Sequence, residues 1–100
     1  MGEASVERRL AAILAADVVG YSRLMEANEE RTLEALKKHR KEFFDPTIAE
    51  HGGRIFKVMG DGFLVEFSSV LDAVRCAADV QRGMVERNAA EPEDRHIRFR

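Results

Sequence analysis

Arg54-Ile-Phe-Lys-Val-Met59, then Gly60-Asp61, then Gly62-Phe-Leu-Val-Glu-Phe67 is the stretch on which the fold turns. Both flanking runs are rich in aromatic and branched residues, which suit a pleated strand. Gly60-Asp61-Gly62 between them signals a hairpin, because Asp-Gly tolerates the positive φ of tight primed turns. Upstream, Gly52-Gly53 stops a helix. That helix is expected to begin at Asn28 as N-cap, with Glu29 and Glu30 in the first turn, where the helix dipole favours carboxylates. Leu33, Leu36, Phe43, Phe44 and Ile48 recur at roughly helical spacing, and Lys37, Lys38, Arg40, Lys41 and Glu42 form the polar face. Pro46 should kink or restart this helix, with Asp45 as a second cap.

Downstream, Ser69 and Asp72 have capping-box spacing. Val70, Ala73, Val74, Ala77, Val80, Gln81 and Met84 mark the inner face of a second long helix, expected to fray near Asn88. Glu91-Pro-Glu-Asp94 reads as a polar linker, and His96 to Arg100 alternates like a strand that is cut short. At the other end, Leu10 to Val19 is an apolar block interrupted only by Asp17. Its alanines favour helix, whereas its length and its stop at Gly20 suit a strand buried on both faces. Periodicity does not separate the two.

Reading that block as a strand, the order is strand, helix, hairpin, helix, strand. This predicts an α+β fold, a ferredoxin-like sheet with helices on one face, C-terminally truncated within or just after its fourth strand. Residues 1–7 read as a leader and residues 8–100 as one partial domain.

The chain has 100 residues, 16 Lys plus Arg against 18 Asp plus Glu, and a formal charge of −2. Hydrophobic residues make up 45 % and charged residues 34 %, a globular rather than disordered balance. The lack of basic excess argues against nucleic acid as a partner. The longest apolar run, Leu10 to Ala16, is far short of the ~20 residues a membrane span needs. The expectation is a soluble, cytoplasmic protein. Cys76 stands alone, so there is no internal disulfide, and it reads as packing. His39, His51 and His96 have no metal-ligand spacing and read as surface residues.

Two acids stand out. Asp17 ends an apolar block, where a lone carboxylate is costly unless paired, capped or bound to a cation. Gly20 and Ser22 follow, placing backbone N–H groups and a hydroxyl where a phosphate could bind. Taken alone, Asp17 also reads as a strand end capping a turn, Asp61 as an ordinary hairpin-tip Asp, and Lys57 as a solvated strand charge. Together, a hairpin tip beside the first strand could bring Asp61 next to Asp17. Two converging carboxylates are what a pair of Mg²⁺ ions needs.

Ala15-Ala-Asp-Val-Val-Gly-Tyr-Ser22, Gly53-Arg-Ile-Phe-Lys-Val-Met-Gly-Asp-Gly-Phe-Leu-Val-Glu-Phe67 and the Ser69 to Gln81 helix together resemble the N-terminal half of a class III nucleotidyl cyclase catalytic domain, in its bacterial adenylyl cyclase branch. The resemblance runs from about Arg8 to Arg100. It implies that Asp17 and Asp61 hold two Mg²⁺ or Mn²⁺ ions, with the Val18 carbonyl contributing to one. It implies that Gly20, Tyr21 and Ser22 cradle a triphosphate, Tyr21 standing where the family usually has Phe. Lys57 falls at the position that reads the purine edge, and a Lys there points to ATP as substrate and cyclic AMP as product. The family works as a homodimer with shared sites, so Asp17 and Asp61 of one copy would serve a base read by Lys57 of the other. The family's domain continues past Arg100, into the transition-state Asn and Arg and a second base-reading residue. Little turnover is therefore expected of the 100 residues alone. The alternative is a non-catalytic cyclase-like module for dimerisation or regulation. A diguanylate cyclase or polymerase palm would share the topology, but no Gly-Gly-Asp/Glu-Glu-Phe signature is present. An RNA-binding module would want a basic face.

Overall fold

The computed structural model describes residues 12–100; the expected 1–7 leader lies outside the described residues. The apolar block resolves as strand β1 (Ala12–Asp17). Helices α1 (Tyr21–Ala27) and α2 (Glu29–His39) follow, then a π-helical turn (Arg40–Phe44) and α3 (Asp45–Glu50). The hairpin strands are β2 (Arg54–Met59) and β3 (Gly62–Phe67), and the second long helix is α4 (Val70–Asn88). A 3₁₀ turn (Glu93–Arg95) leads to the last residues.

The three strands are antiparallel in the order β1-β3-β2. Ile97–Arg100 returns along the free edge of β1: a bridge joins Val18 to Phe99, and Asp17 and Arg100 exchange both backbone hydrogen bonds, at 2.9 and 3.0 Å. The spatial sequence is thus last segment, β1, β3, β2, as a ferredoxin-like sheet requires. β1 is a strand despite its alanines because it is paired on both sides near its end, and tertiary pairing overrides a weak helix propensity.

One face of the sheet carries the helices. Phe63, Val65 and Phe67 of β3 are buried there against Phe44, Ile48, Cys76, Val80 and Met84. Phe44, only 1 % exposed, sits edge-on to both Phe63 and Phe99, with centroids 5.5 and 4.5 Å away. Such contacts add to the burial of ring surface. Burial pushes the Cys76 thiol up to about 11, in keeping with packing rather than reactivity.

Several local expectations hold. The Asn28 side chain accepts from the Arg31 N–H at 2.9 Å, and Ser69 Oγ accepts from the Asp72 N–H at 3.2 Å. Gly52 ends α3 at φ 74, a left-handed angle that glycine adopts freely.

Others are corrected. Asp45 is no cap: it pairs with Arg40 at 3.3 Å, and Pro46 sits in the first turn of α3, where its missing N–H costs nothing. The helix passes into α3 through the π turn rather than breaking. Leu33, expected inside, is 45 % exposed. The inner face of α4 is Ala73, Cys76, Val80, Met84 and Asn88, while Val70 and Val74 are 67 % and 60 % exposed. Asn88 does not fray: its side chain donates to the Ile97 carbonyl at 2.9 Å and accepts from the Ile97 N–H at 3.1 Å, as a backbone partner would. Gln81 donates to the Phe99 carbonyl at 2.9 Å. The hairpin closes, but neither Gly60 nor Asp61 has a positive φ, so its turn is not primed. A register irregularity leaves Phe56 as an extra residue opposite β3, and such a bulge adds twist of the kind a primed turn would supply.

His51 is not a free surface residue. Its Nε2 lies 2.7 Å from Asp79 Oδ2, clamping α3 to α4, and Asp79 also receives Arg82. The His51 hydrogen bond, aided by Arg82, holds the Asp79 carboxyl below the usual carboxylate range. Gly83 lets α4 approach the π turn: an added Cβ would overlap the Phe43 ring, with Cε2 at 3.0 Å. Gly83→Ala is expected to destabilise by about 1 kcal/mol net, because overpacking costs ~1–3 kcal/mol and helix propensity returns up to ~1 kcal/mol. Urea denaturation checks this; a more stable variant would show that Phe43 swings aside freely.

Candidate active site

The site grows from the β1–β3 pairing. Asp17 stands opposite Gly62, and the Val18 N–H donates to the Asp61 carbonyl at 2.7 Å. The ladder bonds of Asp17 go to Arg100, so Asp17 and Gly62 form a non-hydrogen-bonded pair, the closer type in an antiparallel sheet. Gly62 permits that approach: a Cβ there would overlap the Ala16 carbonyl oxygen and lie 3.0 Å from Asp17 Cβ. The structure therefore brings the backbones of Asp17, Val18 and Asp61 together at one end of the sheet.

Asp17 alternates with Ile13 and Ala15 onto the face away from the helices. There its Oδ1 accepts from Arg100 Nε at 3.3 Å, with the two side chains 45 % and 73 % exposed. Sequence reasoning missed Arg100 as a partner; only the strand return places it there. Asp61 is half-buried and makes no ion pair among the described residues. Gly20 is left-handed at φ 67 and is the N-cap of α1 with no side-chain cap. The first-turn N–H groups of Tyr21 and Ser22 are thus not consumed by a capping side chain. The Arg23 guanidinium folds over this turn, its Nη2 3.1 Å from where a Gly20 Cβ would be.

Lys57 is exposed on β2, opposite Leu64, which faces Ala15 in turn. It shares the open face with Asp17 but lies two strand spacings across and two residues along the sheet from it, roughly 12 Å. It is not brought to the two acids. The open face of the sheet is partly apolar, with Ile13 and Met59 55 % and 41 % exposed.

Among the described residues, no three His, Cys, Asp or Glu side chains gather as a complete metal cage. Mg²⁺ is held by one or two carboxylates plus water and phosphate oxygens, so Asp17 and Asp61 have donor chemistry that suits it.

In both sequence and fold the chain is similar to part of adenylate/guanylate cyclase proteins, and it spans well under two thirds of their length. It is 53 % identical, over its whole length, to a Rhizobium meliloti (strain 1021) protein named "Putative adenylate cyclase 3", of which it spans 17 %. It is 49 % identical to the adenylate/guanylate cyclase/hydrolase from Silicibacter pomeroyi, whose crystal structure superposes with a TM-score of 0.84 over 94 % of this chain and 55 % of that one. The guanylyl cyclase Cya2 superposes with a TM-score of 0.69 at 31 % identity, over 80 % of this chain and 44 % of its own. No protein-family model matches the chain. Among the described residues, no helix is long and apolar enough to cross a membrane.

Proposed function

We propose that this segment belongs to an adenylyl cyclase that converts ATP to 3′,5′-cyclic AMP and pyrophosphate at a homodimer interface. The observation that carries the reading is the joining of Asp17 to Asp61 through the β1–β3 pairing, sealed by the 2.7 Å bond from Val18 to Asp61. Asp17, Asp61 and the Val18 carbonyl would hold two Mg²⁺ or Mn²⁺ ions. Bound there, the ions supply charge that acidifies the ribose 3′-hydroxyl and neutralises the α-phosphate.

The protein's own groups bind and orient. The N–H groups of Tyr21 and Ser22 meet phosphate oxygens, and the Arg23 guanidinium over Gly20 adds positive charge. Arg100, which pairs with Asp17, would be free to turn to phosphate were a cation to take that carboxylate. The nucleophile is the substrate's own hydroxyl: its oxygen bonds to the α-phosphorus as the bond to pyrophosphate breaks. The partly apolar open face suits a second copy, whose Lys57 would donate to a ring-nitrogen acceptor of adenine.

Base choice tests the reading, since relatives of both adenylyl and guanylyl type share the fold. In a longer protein carrying this segment, Lys57→Glu should lower the ATP-to-GTP ratio of kcat/KM by roughly a hundredfold, because a donor becomes an acceptor and leaves a polar group unpaired. An unchanged ratio would mean that Lys57 is only a surface charge. Absence of any cyclic product from the unaltered protein with MnATP would favour the non-catalytic module.

A further inference from the structure

On the helical side, away from Asp17 and Asp61, a cleft of about 620 Å³ lies between α2, the last turns of α4 and the Glu93–Arg95 turn. Arg87 of α4 forms part of its wall. Its Nε donates to His39 Nδ1 at 2.9 Å, its Nη2 donates to Glu42 Oε1 at 2.8 Å, and its guanidinium carbon lies 5.8 Å from the Phe43 ring centroid. A guanidinium only donates, so the His39 bond requires a neutral imidazole with its proton on Nε2. A second proton on the ring removes the acceptor and sets two cations side by side. We propose that His39, Arg87 and Glu42 form a proton-operated latch, closed at neutral pH and released by mild acid, which sets how tightly the end of α2 and the π turn sit on α4.

The surroundings decide where it operates. On α2, Lys38 adjoins His39; on the π turn, Glu42 does. From α4 come Arg87 and, along the cleft wall, Glu86; from the following loop comes Glu91; Arg95 and Arg31 close the cleft. Burial is the leading influence and disfavours the proton, Arg87 and Lys38 act with it, and Glu42 and Glu91 act against it. The outcome is a His39 held below the ordinary imidazole value. The Arg87 hydrogen bond holds Glu42 below its usual range, so Glu42 keeps its charge and its grip while His39 titrates. One arm opens and the other stays. The Phe43–Gly83 contact does not titrate, so acid loosens the junction rather than unfolding it. The sign follows from linkage: stability from neutral His39 is complete above the ordinary imidazole pKa and is lost as pH falls through the lowered folded-state value.

The test is an NMR titration of the 100-residue chain from pH 8 to 4.5. It follows the His39 imidazole together with amide protection of residues 86–88, corrected for the intrinsic pH dependence of exchange. The expected result is a His39 midpoint below the ordinary value, moved upward by Arg87→Gln, with protection falling about fivefold or more across that midpoint, as local opening allows. His39→Gln keeps an acceptor for Arg87 but cannot titrate, and should abolish the step. A midpoint at or above the ordinary value, or a step that persists in His39→Gln, overturns the latch. If a variant does not fold, the wild-type chain decides: coincidence of titration and protection loss supports the latch, and its absence overturns it.

Discussion

Replacing Asp17 or Asp61 with alanine in a longer protein carrying this segment is expected to cut cyclase turnover by about a thousandfold or more, while the fold survives. Loss of charge stabilisation aimed at a transition state costs on the order of 10²–10³ even for a single donor, and each carboxylate would hold an ion that acts on both nucleophile and leaving group. The fold survives because Asp17 contributes little to it. Its ion pair with Arg100 is 3.3 Å long and lies between side chains 45 % and 73 % exposed. Such pairs are worth ~0–1 kcal/mol, and Arg100 is easily resolvated. Steady-state assays with Mn²⁺ check the first half and thermal melts the second. Activity within tenfold of the parent would remove the two-metal reading. The same variants test shared sites. Asp17→Ala mixed with Lys57→Ala should regain one intact site per heterodimer, since a two-fold interface lets one copy lack what the other supplies. No recovery in verified heterodimers would rule that arrangement out.

Gly62→Ala should be the most damaging single methyl group in the described residues, at about 3 kcal/mol, the upper range for overpacking. The added carbon would overlap the Ala16 carbonyl oxygen and press on Asp17 Cβ and Cα at 3.0 and 3.1 Å. These are mostly backbone atoms of the neighbouring strand, so no side chain can rotate away. β1 must part from β3, and the bond from Val18 to Asp61 goes with it. A domain of this size shifts its midpoint by ~4–8 °C per kcal/mol, so a drop of roughly 12–24 °C is expected. Gly60→Ala is the control: nothing lies within 4 Å of a Cβ there and its φ is not positive, so its melting midpoint should barely move. Equal effects at the two glycines would show that close strand approach is not what Gly62 provides.

These residues also mark how far a linear reading reaches. The hairpin, the Asn28 and Ser69 caps and the stop at Gly52 are local: a side chain or a glycine acts on backbone within about four residues, so adjacent letters suffice to state them. The nearness of Asp17 and Asp61 was within reach for a related reason, since a hairpin tip can pair with only a few strands in a small sheet. Whether Leu10 to Val19 was helix or strand was not within reach. Its alanines favour one, its length the other, and pairing to β3 and to Phe99 decides between them. The buried face of α4 likewise depended on a partner distant in sequence. Asn88 is buried against the Ile97 backbone and Gln81 reaches the Phe99 carbonyl, partners 9 and 18 residues further along the chain, while Val70 and Val74 stay exposed. Arg100 beside Asp17, 83 residues away, and Arg87 on His39, 48 residues away, have no local signal at all. A charged side chain's spacing along the chain says whether it can lie on a surface; only the packing of strands and helices says which opposite charge it meets.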